Sequence, residues 1–345
     1  MSRRQNHIDA AKVLASHLIV LHHFTVYGPL ADALDVAAPR VTDWFFEYAR
    51  MAVQVFLVIG GYLAAGTLAP HGYFQRKAPW RSVAQRYVRL VLPFGVALLL
   101  VTACSAVARH WLHADFIPAA PSMFALLAHF ALLFNILGYE SLSSGMWYVA
   151  IDFQLFAVMA LLLWVGGRAA KWLVALAMLG SLFFFNLHQE GDNWALYFFG
   201  SYAMGAFAWW AGHSRHAGKL LALLAAAGCS ALLWDFRLRI ALALVVALGL
   251  GVARWQLGHE TQHHRPALKP VALQLLRLLS RSSYALFLTH FSIVLLANVL
   301  WTRFTWTVPC AAAWMTAAAW VVCVAVSMVF ERLVERPLSA IRIPA

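Results

Sequence analysis

Charge is what this chain has least of. Only 12% of its 345 residues are Asp, Glu, Lys or Arg, and just 14 are acidic, whereas a soluble domain carries about 25% charged residues. So few charges cannot cover a water-facing surface, which excludes an ordinary soluble domain. Cysteine is also scarce. Cys104, Cys229, Cys310 and Cys323 all fall in apolar runs without a CxxC pair, so neither a disulfide framework nor a cysteine metal site is indicated. No Walker A loop, GxGxxG turn or GxSxG nucleophile elbow occurs, which leaves no sequence basis for P-loop, dinucleotide-binding or α/β-hydrolase chemistry. No repeat of fixed period stands out, and there is no low-complexity tract.

Apolar sequence fills the space that charge leaves. The chain is 63% hydrophobic with a mean hydropathy of +0.72. Eleven apolar runs can be marked, at 9–28, 48–69, 90–108, 122–138, 147–166, 171–187, 194–212, 217–234, 238–255, 283–301 and 308–330. Runs of this length are candidate membrane spans. The first is interrupted by Lys12, His17, His22 and His23 and is followed by no small-residue cleavage site, so it reads as a retained span and not a signal peptide. The longest polar connections, 70–89 and 254–281, read as loops, too small to fold separately, so residues 1–345 are expected to form a single transmembrane domain.

Charge asymmetry sets the orientation. If 122–138 stays on the outer side and the N-terminus is cytoplasmic, Lys and Arg divide 20 inside to 6 outside; if 122–138 crosses, the division becomes 11 to 15. The first arrangement is preferred. The expected fold is therefore all-α and polytopic, with ten transmembrane helices plus one re-entrant or interfacial helix at 122–138, and both termini cytoplasmic. The net charge of +12 then belongs mainly to cytoplasmic loops. A secondary role is attraction of anionic lipid headgroups or of a phosphorylated donor; nucleic acid is not the expected partner.

Ionisable residues inside a bilayer are costly, so each is a functional candidate. His23 follows Lys12 by eleven positions, almost three helical turns, which puts both on one face about 16 Å apart along the axis. Asp9, Ser16 and Tyr27 fall on the same face; His17 and His22 do not. A polar stripe thus climbs one side of the first span and ends at His23. Asp152 lies about as far from the outer membrane surface as His23, which invites a pair in which the carboxylate orients the imidazole as a general base. The alternative is a purely structural hydrogen bond between helices. His290 sits near mid-membrane, either as a buried core histidine or as a site residue. Arg86 and Arg89 open the third span on one helical face. Composition favours reading them as headgroup anchors, with a phosphate clamp as the functional alternative. His259, Glu260 and His263 match HExxH, but the match lies in a polar loop between Gly258 and Pro266 rather than in a shielded helix, so zinc chemistry is not expected. No other metal site is read from the sequence.

Several of these stretches, taken in order, resemble acyltransferase family 3, integral membrane proteins that O-acylate glycans and other exported molecules. Ile8, Asp9, Lys12 and His23 resemble its first-helix pattern, with Lys where Arg is usual. VFLVIGGYLAAG at 55–66 is similar to its second, with Gly60 where serine is common, and RYVRLVLP at 86–93 carries the Arg-x-x-Arg of its third. MWYVAIDFQLF at 146–156 supplies Trp147, Asp152 and Gln154, with Asp for the usual Glu. SSYALFLTHFSIV at 282–294 and FERLVERPL at 330–338 resemble the closing pattern.

The resemblance implies ten core spans and a bacterial inner-membrane O-acyltransferase, here in the form without an appended SGNH hydrolase-like domain. It implies acyl-CoA, acetyl-CoA first, as donor, and a glycan or other hydroxyl as acceptor. Other polysaccharide-synthesis proteins are expected partners. In that reading His23 is the general base and Asp152 its orienter. Arg86, Arg89 and Lys12 meet the donor phosphates. Asp9, Ser16, Gln154, Trp147, Tyr284 and His290 line the pore, with Tyr284 or His290 facing the oxyanion. A transporter of a glycan or lipid-linked intermediate is the competing reading, since polar residues at mid-membrane are expected there too.

Overall fold

A computed structural model of the chain describes residues 6–75, 78–259, 270–304 and 310–343. Every regular element among them is helical: α1 (Asn6–Phe24), α2 (Pro29–Ala37), α3 (Pro39–Tyr48), α4 (Val53–Leu68), α5 (Trp80–Trp111), α6 (Met123–Phe130), α7 (Met146–Gly166), α8 (Ala170–Phe183), α9 (Ala195–Gly212), α10 (Ala217–Trp234), α11 (Leu238–His259), α12 (Pro270–Arg281), α13 (Ser283–Arg303), α14 (Ala311–Phe330) and α15 (Arg336–Ser339). A π-helical turn, Glu331–Glu335, joins the last two. Glu260 to His263, and with them most of the HExxH match, lie outside the described residues.

Among the described residues, seven helical stretches are long and apolar enough to cross a membrane, or eight if the bent pair α1 and α2 is one span. One of the seven, Met146–Leu187, is 42 residues long and contains both α7 and α8. The 18-residue α9 has the length to cross. It misses on hydropathy because Gly200, Gly205, Gly212, Tyr197, Tyr202, Trp209 and Trp210 dilute its aliphatics.

Two connections differ from their expected form. The polar segment 254–281 contains α12, twelve residues long, and α5 begins at Trp80, ten residues ahead of the apolar run at 90. Both pieces mix basic with apolar residues at helical spacing, a pattern that hydropathy runs do not register. Segment 122–138 yields only the eight-residue α6, started by Ser122, whose hydroxyl accepts from the Ala125 amide. Eight residues rise about 12 Å, well short of the roughly 30 Å hydrocarbon core.

The chain forms two compact units. One comprises Met1–Ala52, Tyr87–Ala150 and Lys269–Pro344; the other comprises Val53–Arg86 and Ile151–Leu268. In the first unit α13 packs against α1, α2, α12 and α14 and is buried along most of its length. The chain bends by 98° between α1 and α2, where Gly28 takes a positive φ of 84°. Asn298 on α13 spans that bend: its amide nitrogen donates to the Tyr27 carbonyl at 3.0 Å and its oxygen accepts from the Leu30 amide at 2.9 Å.

In the second unit α9 is the central helix, against α4, α8, α10 and α11. Its approach to α4 is backbone to backbone. A Cβ on Gly205 would collide with the Val58 carbonyl, and one on Gly61 with the Tyr202 carbonyl. Small residues are what allow two membrane helices to close to this distance.

Candidate active site

The stripe on α1 faces inward in the first unit. Asp9, Ser16 and His23 are buried, whereas Lys12, His17, His22 and Tyr27 are half-buried. The off-stripe histidines have local partners: His22 Nδ1 lies 3.0 Å from the Phe45 carbonyl, and His17 Nδ1 accepts from Trp320 Nε1 at 3.1 Å. At the N-terminal end of the stripe, Ser280 ties α1 to α12. Its hydroxyl donates to Asp9 Oδ1 at 2.6 Å, and its carbonyl accepts from Lys12 Nζ at 3.2 Å. Ser16 donates to the Val13 carbonyl of its own helix at 2.9 Å.

His23 lies in the last turn of α1. Its Nδ1 is 2.6 Å from Nε2 of His290 on α13, and the two rings lie edge to edge and close to coplanar, with centroids 4.8 Å apart and planes 13° apart. The Ser144 hydroxyl approaches the same His23 Nδ1 at 3.3 Å. His290 is fully buried, and its Nδ1 lies 3.1 Å from the Leu286 carbonyl and 2.9 Å from that of Phe287. Gly145 sits against this pair; a Cβ there would be 2.9 Å from the Phe287 carbonyl and 3.3 Å from His290 Cε1. The loop ahead of α7 therefore reaches the histidines because residue 145 has no side chain.

Other candidates of the first unit are held by backbone or aromatic contacts. The Tyr284 hydroxyl donates to the Leu90 carbonyl at 3.1 Å, which commits the proton that an oxyanion would need. Trp147 meets Tyr148 edge to face. Glu335, in the π-helical turn, lies in the electrostatic field of both Lys12 and Arg89. Sequence reasoning passed over this carboxylate and Ser144. The only signals for them were short ones, the FERLVERPL ending and the Ser-Ser-Gly before α7.

Asp152 belongs to the second unit. Its carboxylate accepts from Arg86 at 2.5 Å, with side-chain exposures of 9% and 30%. The Arg86 guanidinium also lies over the Phe156 ring, 5.4 Å from its centre. A buried carboxylate selects the nearest guanidinium because that pairing recovers the most desolvation energy. Gln154, two residues on, accepts from the Ala195 amide at 3.0 Å and so satisfies a free donor at the start of α9.

In comparison with protein-family models, the chain matches the acyltransferase domain of acyltransferase family 3 over residues 5–330. Neither a curated protein nor a solved structure matches it.

Proposed function

The chain belongs to acyltransferase family 3, and from that premise we propose that it is a membrane O-acyltransferase moving an acyl group, acetyl first, from cytoplasmic acyl-CoA to a hydroxyl of a glycan or glycosylated acceptor. The observation that carries the reading is His23. It is a buried imidazole at the end of a polar stripe, with one ring nitrogen engaged by His290. An expensive group held in one orientation fits a general base.

His23 takes the acceptor hydroxyl proton as the oxygen forms its new bond to the acyl carbon. The carbon–sulfur bond breaks, and the imidazolium returns the proton to the departing thiolate. Lys12 and Arg89 in the first unit supply positive charge for the donor phosphates, and Trp147, Tyr284, Asp9 and Ser16 shape their surroundings. In the second unit Arg86, its guanidinium held by Asp152, is the other candidate for the phosphates, with Gln154 on the same helix as Asp152. Glycan synthesis proteins that deliver the acceptor are the expected partners, and lipids the solvent.

The proposed topology is ten crossings in a bacterial inner membrane, by α1, α4, α5, α7, α8, α9, α10, α11, α13 and α14, with both termini cytoplasmic. It rests on the charge division and on the coincidence of these helices with the ten long apolar runs.

Membranes carrying the protein, incubated with labelled acetyl-CoA, should transfer label to a carbohydrate fraction, and membranes carrying His23→Ala at equal abundance should not. Full transfer by His23→Ala in a background lacking the native protein would overturn the reading.

A further inference from the structure

The contacts of His290 fix which nitrogen of His23 carries a proton. A carbonyl oxygen only accepts, and His290 Nδ1 faces two of them, at 3.1 and 2.9 Å. That nitrogen therefore carries hydrogen. A neutral imidazole has one N–H, and an uncompensated charge on the fully buried His290 would be costly. Its Nε2 is then an acceptor. His23 Nδ1, 2.6 Å away, has to donate to it. The lone pair of His23 is left on Nε2. Ser144 Oγ, at 3.3 Å from the same Nδ1, is then a second, weaker acceptor and not a hydroxyl activated for attack.

We infer that His290 is a positioning residue: through its Nε2 it holds His23 as the Nδ1–H tautomer and assigns proton abstraction to His23 Nε2. This inference rests on the general-base reading of His23 and refines it. The chain of hydrogen bonds runs from His23 on α1 to His290 and on to the carbonyls of Leu286 and Phe287, these three on α13. It does what a carboxylate does behind a catalytic histidine, orienting the ring and selecting its tautomer, but with a neutral acceptor in place of a charge. When His23 Nε2 gains a proton, the positive charge is shared across the hydrogen bond to His290. No proton passes further, because the carbonyls beyond cannot accept one covalently.

Two variants separate this role from a structural one. His290→Gln keeps an oxygen able to accept near the place of Nε2; His290→Leu removes the acceptor. His290→Leu should lower kcat by about 10²–10⁴-fold, the span of a general base that is lost or misaligned, with little change in KM for the donor, and His290→Gln should recover part of the loss. In protein labelled with ¹⁵N-histidine, the His23 resonances should show the proton on Nδ1 in the wild type. In His290→Leu they should show a shift towards the other tautomer. Wild-type kcat in His290→Leu while His23→Ala is inactive would overturn the positioning role and leave the base intact. An active His23→Ala would instead remove the base reading itself. His290→Gln no better than His290→Leu, with both retaining the native thermal midpoint, or a wild-type proton on His23 Nε2, would also overturn the inference.

Discussion

The Arg86 guanidinium and the Asp152 carboxylate form an ion pair at 2.5 Å in which the acid is almost wholly buried. Removing one partner of such a pair leaves an uncompensated charge, at a cost of about 3–5 kcal/mol. Arg86→Ala should therefore lower the thermal midpoint in detergent as well as raise the apparent donor KM. Arg86→Met with Asp152→Leu should cost less than the two single changes added together. Additive losses, or an Arg86→Ala protein with an unchanged midpoint, would show that the pair contributes little.

A second expectation concerns the crossing of α4 and α9. Gly205→Ala puts a methyl into the Val58 carbonyl, and the helices have to separate; overpacking of this kind costs about 1–3 kcal/mol. Gly249→Ala is the control. Nothing lies within 4 Å of a Cβ there, and replacing a helical glycine by alanine gains roughly 0.5–1 kcal/mol. Thermal unfolding of both variants checks the contrast, which fails if Gly205→Ala melts no lower than Gly249→Ala.

Topology can be read directly. A reporter fused after Gly138, beyond the short α6, should report the outer compartment, and a fusion after Arg215, between α9 and α10, should report the cytoplasm. Two readouts on the same side would break the ten-crossing arrangement.

His129 on α6 offers a pH test. Its Nδ1 donates to the Ala125 carbonyl at 2.7 Å, its Nε2 accepts from the Leu142 amide at 3.3 Å, and its ring stacks on Phe134. Burial pushes its pKa below the ordinary 6.5, partly offset by the Ala125 bond. The unfolded segment thus binds a proton before the folded one does, so stability is full above 6.5 and falls as pH drops through that value towards the lower folded one. Amide exchange in 123–143 should quicken between neutral and mildly acid pH, and His129→Gln should flatten the change. An acid response identical in His129→Gln would assign it to another group.

The apolar runs announce most of the helices because a bilayer demands long stretches of one character. Basic, amphipathic pieces such as α12 and the start of α5 were not legible that way, since basic residues interrupt their apolar pattern. The stripe from Asp9 to His23 could be drawn from helical periodicity alone. His290 as the neighbour of His23 could not, because the two are 267 residues apart and periodicity reports only on one helix. Apart from the family resemblance, depth in the membrane was the only guide to Asp152. Depth is a single coordinate, however, and residues at one depth are distributed around a whole bundle. The pairing of Asp152 with Arg86 needed the other two coordinates.

The bend after Phe24 carries an electrostatic consequence. Because α1 stops one residue beyond His23, the imidazole sits at the C-terminal, negative pole of its own helix. A positive charge in a last helical turn is favoured by about 0.3–1 kcal/mol, and by more when partly buried. In the proposed reaction that pole attracts the imidazolium only once it has formed, so the end of α1 stabilises the charged state of the base and leaves the resting state unaffected.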